Sequence, residues 1–147
     1  MAQSLPIPSE VFLDTSYAIA LSAPRDQFHA RAIALADRLE QSETRLVTTR
    51  AVLLEIGNAL ARQRYRQAAV QLLEALEADS RVDIVPLTEQ LYARAMQLYT
   101  ERPDKEWGLT DCVSFIVMQD QMLTAALTAD EHFQQAGFRA LLREELP

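Results

Sequence analysis

Residues 11–16 read Val11-Phe12-Leu13-Asp14-Thr15-Ser16, a short apolar run that stops at a carboxylate and hands over to a helix-like stretch. Consecutive apolar residues suit a strand buried on both faces, and such strands belong to parallel sheets with helices packed on either side. An acid placed where that strand ends lies at the edge where open α/β sheets bind their ligands. The stretch thus suggests a fold class and a place to look for a site.

The rest of the chain alternates in the same manner. Residues 16–21 and 26–41 read as helices, the second amphipathic through Phe28, Ala32, Leu35, Ala36 and Leu39. Arg45-Leu46-Val47-Thr48 is a second strand, feeding a helix over about 49–62 and another through Val70, Leu72, Leu73 and Leu76. Val82 to Val85 is a third strand, closed by Pro86. Thr88 is suited to cap a helix reaching about Thr100. After a charged loop over 101–108, an almost wholly apolar helix runs from about Leu109 to Gln119 and must be buried. Ala125-Ala126-Leu127-Thr128 is a fourth strand, followed by a short helix over 131–136, Gly137 as its stop and a last strand over 138–141. Strands alternating with helices predict a parallel sheet covered on both faces, with right-handed crossovers.

The 147 residues, 49% of them hydrophobic, suit a single domain over 1–147, and no repeat or long Gly/Ser/Pro linker divides them. No apolar run approaches 18 residues, which argues against a membrane span. The opening MAQSLPIPSE lacks a basic segment followed by an apolar one, so a cytoplasmic location is expected. The single cysteine, Cys112, lies in an apolar stretch and reads as a buried small side chain rather than a nucleophile. The two histidines, His29 and His132, lack the spacing of a zinc site, so soft-metal chemistry is not expected and oxygen-ligand chemistry stays open. A net charge of −7 argues against a broad electrostatic grip on nucleic acid. That objection weakens if some of the acids surround divalent cations, because bound metal reverses the local sign.

Four acids stand out. Asp14 follows the first strand and Asp130 follows the fourth by two residues, although Asp at such junctions is also a favoured helix cap. Asp111 occupies the first turn of the buried helix, where a negative charge suits the helix dipole. Thr110 is available there as the cap, and only Arg102 and Lys105 stand nearby as charge partners. Glu55 lies mid-helix in Val52-Leu53-Leu54-Glu55-Ile56, near the inward face, where capping does not account for it. Four carboxylates gathered at one strand-end pocket repel one another unless a cation neutralises them, and Mg²⁺ or Mn²⁺ suits an all-oxygen ligand set. Such a centre is suited to phosphodiester hydrolysis.

The segments holding these acids resemble a PIN-domain nuclease, specifically the VapC-like toxins of type II toxin–antitoxin systems. The resemblance is carried by Val11-Phe12-Leu13-Asp14-Thr15-Ser16, Glu55-Ile56-Gly57-Asn58-Ala59-Leu60, Leu109-Thr110-Asp111-Cys112-Val113-Ser114-Phe115 and Leu127-Thr128-Ala129-Asp130-Glu131-His132-Phe133, in that order, and spans about 10–142. It implies a three-layer α/β/α sandwich around a five-stranded parallel sheet, Mg²⁺- or Mn²⁺-dependent endoribonuclease activity, a homodimer, and inhibition by a small antitoxin. It makes Asp14, Glu55, Asp111 and Asp130 the metal-binding, catalytic acids. Ser16 and Thr128 resemble the hydroxyls that orient an acid or a metal-bound water, and Asp104 would be an outer acid, although a solvated loop charge is the favoured explanation for it.

Arg62, Arg64 and Arg66 gather at a helix junction and Arg50 precedes the Glu55 helix, so these four are candidate contacts for RNA phosphates or for an antitoxin. Trp107 is suited either to stacking on a base or to packing at the core edge. Two other activities compete: a structure-specific DNA nuclease using the same metal chemistry, and a catalytically silent binding module whose acids are caps. A phosphatase with Asp14 as nucleophile is disfavoured, because Thr15-Ser16-Tyr17 lacks the second acid that such enzymes carry two residues on.

Overall fold

The computed structural model describes residues 5–145; residues 1–4, part of the opening read for a leader, and 146–147 lie outside the described residues. Strands β1 (Glu10–Leu13), β2 (Arg45–Thr49), β3 (Val82–Val85), β4 (Ala125–Leu127) and β5 (Arg139–Ala140) form one sheet in the order β3-β2-β1-β4-β5. Every pairing is parallel, with Phe12 opposite both Val47 and Ala126. The expected α/β sandwich with a five-stranded parallel sheet is what the chain forms.

Between the strands lie α1 (Thr15–Ser22), α2 (His29–Gln41), α3 (Arg50–Ala59), α4 (Gln63–Ala78), α5 (Glu89–Glu101), α6 (Leu109–Asp120) and α7 (Glu131–Gln135). The chain steps from β1 to β2 to β3 in one direction and then returns to β4 on the other side of β1. Right-handed crossovers in opposite directions place their helices on opposite faces. Accordingly α1 to α4 pack among themselves, and α5 packs on α6 and α6 on α7.

Burial follows the sequence pattern. Val11, Phe12 and Leu13 are fully enclosed at the sheet centre, and α6 buries every residue from Cys112 to Met118. Its one hydroxyl in that run, Ser114 Oγ, donates to the Thr110 carbonyl at 3.0 Å, so burial leaves it satisfied. Phe115 meets the rings of Trp107 and Phe133 edge-on, each at 5.0 Å between centroids, and Phe138 at 5.8 Å. Trp107 is therefore a core-edge residue, and its indole N–H donates to Gln135 Oε1 at 3.0 Å.

Element ends differ modestly from expectation, each for a local reason. The second helix starts at His29 because Asp26 Oδ1 takes the Phe28 amide in a turn. The Glu55 helix stops at Ala59, and Arg62 becomes the junction from which α4 starts. β4 ends at Leu127, since Thr128 turns its hydroxyl to other partners described below. The last strand is confined to two residues because Leu141–Arg143 turns into a 3₁₀ helix that buries Leu141 and Leu142, with the Leu142 amide bonded to the Thr128 carbonyl. Gly137, at φ +97°, makes the turn out of α7, a conformation that a side chain would strain.

Candidate metal centre and active site

The chain reverses its direction of travel through the sheet between β1 and β4, and the carboxyl ends of those two strands frame the crevice where such sheets bind ligands. Asp14 follows β1 directly; Thr128 follows β4 directly, with Asp130 two residues later. Two hydrogen bonds hold this edge in shape. The Asp14 amide donates to the Leu127 carbonyl at 3.2 Å, and Thr48 Oγ1 donates to the Leu13 carbonyl at 2.9 Å.

Asp14 is only 4% exposed, and its surroundings account for how a charge is kept there. Thr128 Oγ1 donates to Asp14 Oδ2 at 2.8 Å, and Ser16 Oγ donates to the same oxygen at 3.0 Å. Each hydroxyl has one hydrogen, and both are spent on Oδ2. The hydroxyl oxygens then accept from the next backbone turn: the Ala129 amide donates to Ser16 Oγ and the Asp130 amide to Thr128 Oγ1. These donors stabilise the carboxylate, but burial outweighs them and pushes the Asp14 pKa up to about 6, with the nearby charge of Asp111 adding to the rise.

Asp111 lies in the first turn of α6. The N-cap of that helix is Gly108 rather than Thr110, and the Gly108 amide donates to Asp111 Oδ2 at 3.1 Å. Burial raises the Asp111 pKa, the Gly108 amide opposes this, Asp130 raises it further, and His132 opposes. Neither Arg102 nor Lys105 is its partner; Arg102 forms a two-point pair with Asp104, and His132 Nδ1 stands 3.1 Å from Asp111 Oδ2. Asp130 caps α7 by accepting the His132 amide at 2.9 Å, and the same oxygen is 3.3 Å from His132 Nδ1. One donor atom from each of Asp111, Asp130 and His132 lies within 4.8 Å of the others.

The caps considered for Asp14 and Asp130 are thus real, since they accept the Ser16 and His132 amides, and the same carboxylates lie on either side of Asp111 in charge contact. Capping and site-building coincide. The charge of Asp111 raises the Asp14 pKa and that of Asp130 raises the Asp111 pKa, and no Lys or Arg among the described residues pairs with any of the three. A buried carboxylate chain short of positive charge is a donor set for a divalent cation.

Glu55 reaches mid-helix on α3 as expected, half-buried and with no hydrogen bond or ion pair among the described residues. Thr49 sets this helix by accepting the Val52 amide, and α3 packs against α6, the helix of Asp111. Asp104 is exposed, and its carboxylate is taken up by Arg102, which holds its pKa below the usual carboxylate range. It makes no contact with the other acids. Cys112 is enclosed, and burial together with the Asp111 charge pushes its thiol up to about 11, which suits an inert core residue.

His132 is the site residue that sequence reasoning passed over. The two histidines lack the spacing of a zinc site, yet His132, two residues after Asp130 on the first turn of α7, turns its ring back to Asp111 and Asp130. The available signal was its place two residues after Asp130.

A family model described as the PIN domain matches residues 11–139. The chain belongs to the PIN domain family. Among its PIN relatives is the 23S rRNA-specific endonuclease VapC20 of Mycobacterium tuberculosis, 30% identical over 129 residues, which cover 87% of this chain and 95% of that protein. The crystal structure of that VapC20, described as a sarcin-ricin loop cleaving toxin, superimposes with a TM-score of 0.76 at 29% identity, over 87% of this chain and 95% of that one. The PIN fold is also shared with FitAcB from Neisseria gonorrhoeae, at a TM-score of 0.62 and 20% identity over 88% and 95% of the two chains. In this PIN domain, Asp14, Asp111 and Asp130 therefore sit on three of the four segments that carried the resemblance.

The four arginines vary in what engages them. Arg50 is paired with Glu77, Arg66 donates twice to the Ala61 carbonyl, Arg64 lies over the Tyr65 ring at 5.0 Å, and Arg62 is exposed at the start of α4. No helix among the described residues is long and apolar enough to cross a membrane.

Proposed function

We propose that this PIN domain is a metal-dependent endoribonuclease, with Mg²⁺ or Mn²⁺ held by Asp14, Asp111 and Asp130 and with Glu55 completing the acidic ring from α3. The observation that carries this reading is the position of Asp14: an acid 4% exposed, fixed by Ser16 and Thr128, at the reversal point of the sheet, beside Asp111. A bound divalent cation supplies charge that activates water for attack on a phosphodiester and offsets the charge that builds on the phosphoryl oxygens.

The chain's own residues do the positioning. Ser16 and Thr128 hold Asp14 in one orientation by fixing Oδ2, and the Gly108 amide does the same for Asp111. The Thr128 hydroxyl also accepts the Asp130 amide, so one side chain couples the placement of two acids. The acids repel RNA phosphates until their charge is met, which makes substrate binding follow metal binding.

The VapC20 relative acts on 23S rRNA, and this makes a structured ribosomal RNA the first substrate class to test for this chain. The fold is shared with a solved VapBC2 assembly from Rickettsia felis. By that analogy we place this chain as the toxin of a toxin–antitoxin pair, a homodimer held by a small antitoxin. The deciding experiment incubates RNA and DNA of matched sequence with the protein and Mn²⁺. RNA cleavage that EDTA abolishes supports the reading, and cleavage of DNA alone overturns the substrate assignment in favour of a DNA nuclease. Binding without cleavage of either would make the domain a silent module.

A further inference from the structure

His132 stands in the acidic pocket without a role in the scheme above, and its placement is more specific than ion pairing requires. Its Nδ1 faces Asp111 Oδ2 at 3.1 Å and Asp130 Oδ1 at 3.3 Å. Donors at adjacent corners of an octahedron with bonds of about 2.1 Å lie about 3.0 Å apart. Nδ1 therefore stands from each carboxylate oxygen at the spacing of neighbouring ligands, and one donor atom from each of the three residues lies within 4.8 Å of the others. The imidazole is also held from its own backbone, since the His132 amide is locked onto Asp130. Nε2 has no partner among the described residues, and the His132 side chain keeps 24% of its surface exposed.

We propose that His132 is a nitrogen ligand of the metal centre, so that the site is a mixed nitrogen–oxygen set selecting late first-row divalent ions over Mg²⁺. The proposal rests on the metal-site reading of Asp111 and Asp130 and adds a ligand type to it. Without a cation in the gap, Nδ1 carries the hydrogen that it donates to Asp111. With one, the Nδ1 lone pair faces the ion and the neutral ring carries its hydrogen on Nε2, where solvent is in reach. Imidazole favours the later transition ions, whereas Mg²⁺ prefers carboxylate and water. Losing the ring nitrogen should consequently be felt unequally by the two kinds of ion.

The test measures binding of Co²⁺ alone and of Mg²⁺ alone by calorimetry, using the tag-free full chain, in the unsubstituted protein, His132→Asn and Asp111→Asn. The visible absorption of bound Co²⁺ serves as a second readout. The proposal expects His132→Asn to weaken Co²⁺ at least about tenfold and Mg²⁺ by less than about threefold, with a changed Co²⁺ spectrum. Equal losses for both ions, or no loss for either, would overturn it while leaving the carboxylate site standing. Retention of both ions by Asp111→Asn would instead defeat the metal-site reading beneath it. His132→Gln, which preserves side-chain bulk, provides the same comparison should the Asn variant fold poorly.

Discussion

Thr128 Oγ1 donates to Asp14 Oδ2 across 2.8 Å, joining the residue after the fourth strand to the residue after the first. The two lie 114 residues apart in the chain, and the bond exists only because β1 and β4 pair in parallel, with Leu13 opposite Leu127. The same hydroxyl accepts the Asp130 amide. Thr128→Val keeps the shape and removes both interactions. It should cost about 1–3 kcal/mol, read as a lowered urea midpoint, and push the Asp14 pKa higher still. Thr128→Ser should restore most of the loss. Equal stability of the Val variant and the unsubstituted protein would mean that this bond does not hold the edge together.

Asp14 makes a signed prediction about pH. Its pKa rises from an ordinary 3.8 to about 6 on folding, so between those values the folded chain holds a proton that the unfolded chain has lost. The associated stability is fully present below pH ~4 and is lost as pH rises through about 6. At pH 7 the buried charge then costs up to about 3 kcal/mol. Asp14→Asn should raise the melting temperature measured with EDTA at pH 7, and this gain should fade below pH ~4. Added Mg²⁺ or Mn²⁺ should stabilise the unsubstituted protein but not the variant. A variant that melts lower at pH 7 than at pH 4, relative to the parent, would reverse the sign and refute the burial argument.

The sheet was legible because buried strands announce themselves: Val11-Phe12-Leu13 and Val82–Val85 are apolar or β-branched runs ended by an acid and by Pro86. The fifth strand was read over 138–141 and is confined to Arg139–Ala140, because the turn into the 3₁₀ helix that follows leaves no mark in so short an apolar run. At the site, Asp14 and Asp130 were readable from their places after strands. Their double use was not, because whether a capping carboxylate also joins other acids depends on residues distant in the chain, as Thr128 is from Asp14. His132 was missed for a related reason: its partners, Asp111 and Asp130, are brought together by packing of α6 on α7, which no local spacing encodes.

Phe115 touches three aromatic rings from the buried face of α6, the helix that also carries Asp111. Phe115→Ala should destabilise the protein by about 3–5 kcal/mol, because Trp107, Phe133 and Phe138 cannot all collapse into the space. Denaturant titration followed by Trp107 fluorescence measures this. A loss below about 1 kcal/mol would show that the ring cluster is looser than its edge-on geometry indicates.

All four arginines are exposed, but Arg50 is paired with Glu77 and Arg66 is tied to the Ala61 carbonyl, so Arg62 and Arg64 are the better placed to meet phosphates. Replacing both with Ala should weaken RNA binding at low salt and reduce the salt dependence by about one counterion for each lost contact. Metal binding should not change. An unaltered salt slope would remove this corner from the RNA path and leave it to a protein partner.

We propose that Asp14, Asp111 and Asp130 hold a divalent ion that makes this chain cut RNA. The most direct test is the single-turnover cleavage rate of a ribosomal RNA fragment, followed as Mn²⁺ is titrated into the unsubstituted protein and into Asp111→Asn. The rate should rise with Mn²⁺ and saturate in the parent, and fall by at least about a hundredfold in a variant that melts normally. Cleavage by the parent that persists in EDTA, or an Asp111→Asn variant that cuts at the parental rate, would contradict it.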